Sequence, residues 1–131
     1  MTLFKSLFGK KNKKVESDKN PFPWIPLTTV EQLEEINKKS SSKLQIIFKH
    51  STSCGISRMV INMFTGGFNL SESSADIYYL DLHQYREVSN ETGYKFQVMH
   101  QSPQLLVIKD GVVVAHASHG AISEVDLEKY L

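Results

Sequence analysis

The chain has 131 residues, a net charge of +1 and an apolar content of 40%. This size predicts one domain with one core and argues against a two-domain enzyme. The near-neutral charge argues against general nucleic-acid binding, which normally requires a clear basic excess. Apolar runs are too short for a transmembrane helix. The single cysteine, Cys54, cannot form a disulfide within the chain.

Residues 1–20 are polar and lysine-rich, and we predict a flexible tail. Apolar residues within it also recur at helical spacing, which leaves contact with a membrane surface as a second interpretation. No secretory signal is visible in this segment. Together with the unpaired cysteine, this predicts a cytoplasmic protein whose thiol is kept reduced.

The predicted domain spans residues 21–131 and opens with a segment in which three of the first six residues are prolines. Proline spacing of this kind forces an extended path, and we predict an edge strand. Thr29 and Gln32 have the spacing of a capping box, which starts a helix that runs to about Lys39. The compact apolar run Leu44–Phe48 predicts a buried central strand that leads to the cysteine.

A helix is predicted directly after the cysteine, ending at Gly66–Gly67. Its apolar face has helical spacing and comprises Ile56, Met59, Val60, Met63 and Phe64. Ala75–Leu82 is predicted to be a second buried strand, parallel to the first because a helix connects them. His83–Thr92 is predicted to form a short helix ended by Gly93.

The C-terminal part carries the signal for a β-hairpin. Asp110–Gly111 favours a type I′ turn between two antiparallel strands, Gln104–Lys109 and Val112–His116. Ser123 is predicted to cap a terminal helix. The order of elements is thioredoxin-like: an α/β fold with a central mixed sheet, parallel strands plus a C-terminal antiparallel hairpin, and about four flanking helices.

Cys54 is the candidate nucleophile. At the first turn of a helix its sulfur faces unpaired N–H groups and the positive end of the helix dipole, which favour the reactive thiolate. The alternative is a buried structural cysteine, but small polar neighbours argue against it. In thioredoxin-like proteins the proline that opens the hairpin is cis. We therefore predict a cis bond between Ser102 and Pro103, with the loop placed against the cysteine and offering backbone groups to an extended substrate.

From about Trp24 to the C-terminus the chain resembles the YtxJ-type monothiol bacilliredoxins, also called bacilliredoxin C. The segments that carry the resemblance are Trp24-x-x-Leu27, Thr29-x-Glu31-Gln32-Leu33, Phe48-Lys49-His50-Ser51-Thr52-x-Cys54-x-Ile56-Ser57, Tyr79-Leu80-Asp81, Ser102-Pro103-Gln104 and His116-Ala117-Ser118-His119-Gly120-Ala121-Ile122. The family's typical active segment is Thr-Cys-Pro-Ile-Ser. Here two positions depart, because Ser53 replaces the threonine and Gly55 replaces the proline. The change to Gly55 loses a preset helical φ and adds a backbone donor.

The resemblance implies a thiol-disulfide oxidoreductase that removes bacillithiol from S-bacillithiolated cytosolic proteins. Cys54 would attack the mixed disulfide and form a Cys54–bacillithiol intermediate. Bacillithiol would be the exchangeable thiol, a bacillithiol disulfide reductase system a partner, and no metal is expected.

Other site residues follow from the same resemblance. Ser57 takes the place of a resolving cysteine in dithiol relatives, and either its hydroxyl donates to the sulfur or it is merely a polar first-turn residue. Gly55 and Ile56 lie between them. The residues expected to contact substrate or thiol are Ser53, Ser102, Pro103, His119 and Gly120.

Two other functions stay open. The run from Cys54 to Ser57 is also similar to the Cys-Gly-Phe-Ser site of monothiol glutaredoxins that carry iron-sulfur clusters, although their Gly-Gly-x-Asp motif has no match here. A non-catalytic redox-sensing binding module is the third possibility. Among the histidines, His50 is predicted to be a solvent-facing residue at a strand end, and His116 and His119 to mark a surface loop rather than a zinc site.

Overall fold

A computed structural model describes residues 21–131, and the predicted tail lies outside the described residues. The described part contains five strands, three α-helices and two 3-10 helices. In chain order they are β1 (Trp24–Pro26), α1 (Glu31–Lys39), β2 (Leu44–His50), α2 (Gly55–Gly67), β3 (Ala75–Asp81), α3 (Arg86–Phe96), β4 (Gln104–Lys109), β5 (Val112–Ser118) and the 3-10 helices His119–Glu124 and Leu127–Tyr130. The sheet has the order β1-β3-β2-β4-β5.

The sheet is mixed, as predicted. Strand β3 pairs in parallel with both β1 and β2, whereas β4 pairs antiparallel with β2 and with β5. Strand β2 lies in the middle and all seven of its residues are buried. Its side chains alternate between two cores: Phe48 packs with residues of α2, and Ile47 packs with residues of α1 and α3. The central strand is therefore covered by helices on both faces, and its C-terminal end leads into the loop that carries Cys54.

Aromatic rings fix the proline-rich edge strand. The Trp24 ring centroid lies 4.6 Å from that of Phe22 and 5.9 Å from that of Phe48. Phe22 also contacts Phe68 at the end of α2, with 5.1 Å between ring centroids. Aromatic pairs in this range pack favourably beyond their buried area. The predicted edge strand is thus confirmed.

The capping box of α1 is confirmed by a reciprocal pair of hydrogen bonds. The Gln32 N–H donates to Thr29 Oγ1 at 3.3 Å, and the Thr29 N–H donates to Gln32 Oε1 at 3.0 Å. The Gln32 side-chain amide also donates to the Pro26 carbonyl at 2.9 Å. The side chain that starts the helix therefore also holds the end of β1.

The hairpin turn is confirmed, because Asp110 and Gly111 both have positive φ, at 53° and 80°. The Asp110 N–H donates to the Ser40 carbonyl and the Gly111 N–H to the Ser40 hydroxyl, both at 2.8 Å. A Cβ on Gly111 would lie 3.2 Å from Asn37 Oδ1. The turn is consequently docked on the C-terminal end of α1.

The predicted bounds of the third helix are wrong. Helix α3 runs over Arg86–Phe96, and it ends at Gln97, which adopts the left-handed conformation with φ 58° and ψ 45°. Asp81 Oδ1 accepts the N–H groups of the two residues after Leu82, at 3.2 and 3.3 Å, and so holds a turn before the helix. Gly93 stays inside the helix, where a Cβ would lie 3.1 Å from the Val98 carbonyl. The glycine permits close approach instead of ending the helix.

The terminal helix is present only as the two short 3-10 helices, and Ser123 does not begin either of them. Its hydroxyl instead donates to the Gly120 carbonyl at 2.9 Å. Ile122 inserts into the core beneath α2 and is 1% exposed. Ile122 is the fully buried side chain of this segment, and Val125, Leu127 and Tyr130 pack partly buried against the same core.

Candidate active site

Cys54 occupies the N-cap of α2, four residues after the end of β2, with φ −105° and ψ 123°. Its N–H donates to the Ser51 carbonyl at 3.2 Å, and its carbonyl accepts the Arg58 N–H at 3.1 Å. The residue is partly exposed. A sulfur at this place lies at the helix N-terminus, where an anion is favoured and a partner can reach it.

The guanidinium of Arg58 lies over the loop that carries the cysteine. Its Nη1 is 3.4 Å from the Thr52 carbonyl, and its Nη2 is 3.8 Å from the place of a Cβ on Gly55. Gly55 itself is the first helical residue. A cation therefore lies beside this end of α2, adding to the positive potential of the helix terminus.

Ser57 is completely buried and its hydroxyl is already engaged. Ser57 Oγ accepts the Ser51 N–H at 3.1 Å and lies 2.9 Å from His50 Nδ1. The expected bond to the Cys54 sulfur does not occur among the hydrogen bonds of residues 21–131. The serine instead joins the loop to the end of β2.

The prediction that His50 faces solvent is wrong, because the residue is only 5% exposed. Its ring lies 5.5 Å from the Tyr79 ring, centroid to centroid. Burial lowers the pKa of His50; nearby Asp81 opposes this shift and Arg58 adds to it. A neutral imidazole therefore lies beneath the cysteine loop at neutral pH.

The predicted apolar face of α2 is only partly buried. Val60 and Phe64 enter the core together with Ser57, whereas Ile56, Met59 and Met63 are 56%, 56% and 53% exposed. Ser57 can take a core-facing position because His50 and a backbone N–H satisfy it. The helix is rotated accordingly, and three apolar side chains form an exposed ridge that starts beside Cys54.

The peptide bond between Ser102 and Pro103 is cis, as predicted. Pro103 is buried, and its carbonyl accepts the His119 N–H at 3.1 Å. His119 has a φ of 58° and precedes Gly120, around which a Cβ would find open space. Since the start of β4 pairs with the end of β2, this proline loop and the cysteine share one edge of the sheet.

Two further residues of the predicted set lie in the cysteine loop and in the proline loop. Ser53 is exposed, and its hydroxyl lies 3.4 Å from that of Ser51. Ser102 is half-buried within the proline loop. The structure thus brings the predicted residues to one edge, in two groups: the cysteine loop and the proline loop with its neighbour His119.

Sequence reasoning missed a second polar chain at this edge. Ser51 Oγ lies 2.9 Å from His83 Nε2, and Arg86 Nη2 lies 3.2 Å from His83 Nδ1. Because arginine can only donate, Nδ1 accepts and Nε2 carries the proton that is donated to Ser51. Ser51 and His83 are 32 positions apart, so local patterns could not reveal the contact that joins the chain to the cysteine loop.

A buried lysine was missed as well. Lys49 is 0% exposed, and burial lowers its pKa to about 8. The only signal in the sequence was a charged residue directly after the apolar run of β2. Within the described residues no group of three or more His, Cys, Asp or Glu side chains could hold a metal ion. No helix in the same part of the chain is long and apolar enough to cross a bilayer.

Comparisons with known proteins agree with this geometry. The profile of the family described as "Monothiol bacilliredoxin BrxC" matches residues 25–127. A solved structure described as a candidate oxidoreductase with a thioredoxin fold is 31% identical, with a TM-score of 0.69, covering 82% of this chain and 92% of the other. Mitochondrial thioredoxin 3 from Saccharomyces cerevisiae is 17% identical, with a TM-score of 0.62 and coverage of 82% and 92%.

Thioredoxin O2 from Arabidopsis thaliana is also similar, at 18% identity and a TM-score of 0.61, covering 83% of this chain and 91% of that one. At such identities the two thioredoxins show the fold alone. The family match extends over the cysteine loop, the proline loop and the segment that follows β5. The chain therefore belongs to the monothiol bacilliredoxin family and is a thiol redox protein with the thioredoxin fold.

Proposed function

We propose that the protein removes bacillithiol from S-bacillithiolated proteins. The observation that carries this proposal is the combination of one partly exposed cysteine at a helix N-terminus with a buried serine at the position three residues on. An intramolecular disulfide is impossible, so a thiol captured by Cys54 stays there until another thiol removes it. Family membership supports bacillithiol as that captured thiol.

The proposed reaction consists of two sulfur displacements. The Cys54 thiolate attacks the bacillithiol sulfur of the mixed disulfide; the new S–S bond forms as the old one breaks, and the target leaves as a thiolate that takes a proton from water. A free bacillithiol then attacks the Cys54–bacillithiol bond. Its products are free Cys54 and bacillithiol disulfide, which a bacillithiol disulfide reductase would reduce.

Each protein group has a limited role in this scheme. The α2 N-terminus and Arg58 supply positive potential where the sulfur is anionic. The proline loop from Ser102 to Pro103 offers backbone groups to the polypeptide on the other side of the disulfide, with His119 and Gly120 at its border. The proposed setting is the cytoplasm, where bacillithiol and the target proteins would be found.

Mass spectrometry tests the proposal directly. The reduced protein is incubated with bacillithiol disulfide, and we expect one added bacillithiol, absent from Cys54→Ser and released by excess bacillithiol. The release of bacillithiol from a bacillithiolated substrate protein is then measured with the wild type and with Cys54→Ser. An unchanged mass of the wild-type chain would contradict the proposal. A bound thiol without restoration of the substrate would point to a sensor instead.

The cluster-carrier alternative has one observation in its favour, which is Gly55 after the cysteine. Anaerobic reconstitution with iron and sulfide, followed by absorption spectroscopy and measurement of mass in solution, separates the two functions. We expect no absorbing species in the visible range, because a single cysteine from each chain offers too few ligands for a cluster. A coloured dimer would favour the alternative.

A further inference from the structure

The loop that precedes β4, Met99–Pro103, is held from below by two buried polar side chains. Lys49 on β2 and Gln104 on β4 are directly opposite each other in the antiparallel pairing of the two strands. They are 0% and 1% exposed. Opposed residues point to the same face of a sheet. Their polar groups therefore meet on one side of it, under the loop.

These two side chains bind three successive residues of the loop. Lys49 Nζ lies 3.3 Å from His100 Nδ1. The Gln104 side-chain amide donates to the Met99 carbonyl at 2.9 Å, and Gln104 Oε1 accepts the Gln101 N–H at 3.3 Å. The loop thus has a contact from below at each residue just before the Ser102–Pro103 bond.

The lysine also connects the loop to α3, since its ammonium donates to the Ser89 carbonyl at 3.2 Å. Because a lysine ammonium can only donate, His100 Nδ1 must accept and its Nε2 carries the proton. A fully buried ammonium with no carboxylate among these contacts is costly. An apolar side chain of similar length would avoid this cost but would leave His100 unheld.

We propose that Lys49 and Gln104 are positioning residues that keep the loop Met99–Pro103 in the geometry that receives the backbone of the substrate protein. This inference rests on the proposed function, because it assigns a role to the loop in that reaction. Neither side chain touches the reacting sulfurs. Loss of either one loosens the loop, which weakens binding of the protein substrate while the reactivity of Cys54 toward small molecules is kept.

Kinetics with matched variants tests the proposal. Exchange rates are measured against the concentration of a bacillithiolated substrate protein, and the reactivity of Cys54 is measured separately as its rate of alkylation by iodoacetamide. For Lys49→Met and His100→Leu we expect KM for the substrate protein to rise about tenfold, the usual effect of losing one charge-assisted hydrogen bond. The alkylation rate stays within about twofold of wild type.

Two controls accompany these variants. His100→Asn keeps an acceptor in place of Nδ1 and should behave as wild type. Because His100 is exposed, His100→Leu and His100→Asn test the contact with Lys49 even if Lys49→Met fails to fold. Lys43→Met makes the same change at the other end of β2, where Lys43 pairs with Asp76 at 2.8 Å. An unchanged KM in His100→Leu, an equal loss in His100→Asn, or alkylation that falls together with exchange would overturn the proposal.

Amide hydrogen exchange separates this inference from the proposed function. We expect the Gln101 N–H to exchange at least about tenfold faster in Lys49→Met than in wild type, since a loosened loop opens more often. If the Gln101 N–H exchanges slowly in both wild type and Lys49→Met, the positioning role of Lys49 is overturned even if the protein is active. Absence of any activity in the wild type toward bacillithiolated protein would instead overturn the proposed function, and the docking role with it.

Discussion

Protonation of Lys49 should make the stability of this protein depend on pH in a way that one substitution removes. The pKa of Lys49 is lowered to about 8 by burial, against about 10.4 in an unfolded chain. Between these two values the unfolded state binds more protons than the folded state. Stability therefore rises with pH across this window, and below it the full cost of burying the charge is present.

The size of the effect follows from the two pKa values. Relative to pH 7, the Lys49 contribution to the free energy of unfolding rises by about 1 kcal/mol at pH 9 and by about 2 kcal/mol at pH 10. The contacts of the ammonium are His100 and the Ser89 carbonyl, with Arg86 acting at longer range on His100. No acidic side chain among these contacts offsets the cost of charge.

Urea unfolding at pH 7, 8, 9 and 10 measures this contribution as the difference between wild type and Lys49→Met. Groups that titrate in both proteins cancel in the difference, including Tyr78, whose pKa burial raises to about 12. We expect the free energy of unfolding of the wild type to rise steadily above pH 8 relative to that of Lys49→Met. A difference that stays flat from pH 7 to pH 10 would refute the reasoning, because it would mean that burial of the charged Lys49 side chain does not lower the free energy of unfolding.

Three further substitutions test the cysteine loop. Ser57→Ala should lower the free energy of unfolding by about 1–3 kcal/mol in urea, because it leaves His50 and the Ser51 N–H unpaired in a buried place; a change under about 0.5 kcal/mol would contradict this. Gly55→Pro should raise stability by about 0.4–1 kcal/mol, since Gly55 is the first helical residue and Cys54 already has the extended conformation that precedes proline; a lower melting temperature in calorimetry would count against it. Ser57→Cys should create a dithiol that expels a bound thiol, so the mass adduct with bacillithiol disappears and an internal disulfide forms; a persistent adduct would show that position 57 cannot reach the sulfur.

Much of the fold could be predicted because its signals are local. The capping box of Thr29 and Gln32 needs only residues within one turn of helix, and the Asp110–Gly111 turn depends on two residues that tolerate positive φ. The burial of β2 is likewise indicated by its compact apolar run, Leu44–Phe48. Such features do not depend on what the rest of the chain does.

The errors arose where a distant partner decides the outcome. Gly93 is a residue type that often ends a helix, but α3 continues to Phe96, and the Val98 carbonyl approaches Gly93 so closely that a Cβ there would lie 3.1 Å from it. In α2 the apolar pattern is wider than the surface that the sheet offers, so local spacing alone could not tell which residues would stay exposed. Ser57 and His50 are buried because each satisfies the other, which is a tertiary contact without a signature in either residue's neighbourhood.

The site was predicted to the same extent. Cys54 and Pro103 were found because one begins a helix and the other opens a hairpin. Lys49, His83 and His100 were not assigned roles, because each acts through a contact with a residue far away in the chain. The attacking atom could therefore be read from the sequence, whereas its supporting contacts required coordinates.

The hairpin turn on α1 has a consequence at the opposite end of the sheet. Ser40 accepts hydrogen bonds from both central residues of the turn, and Gly111 has a φ of 80°, which glycine adopts without strain. These contacts hold the far end of strand β4 and thereby help to fix its register with β2. The alignment that places Gln104 opposite Lys49 is thus supported by contacts six residues further along the chain.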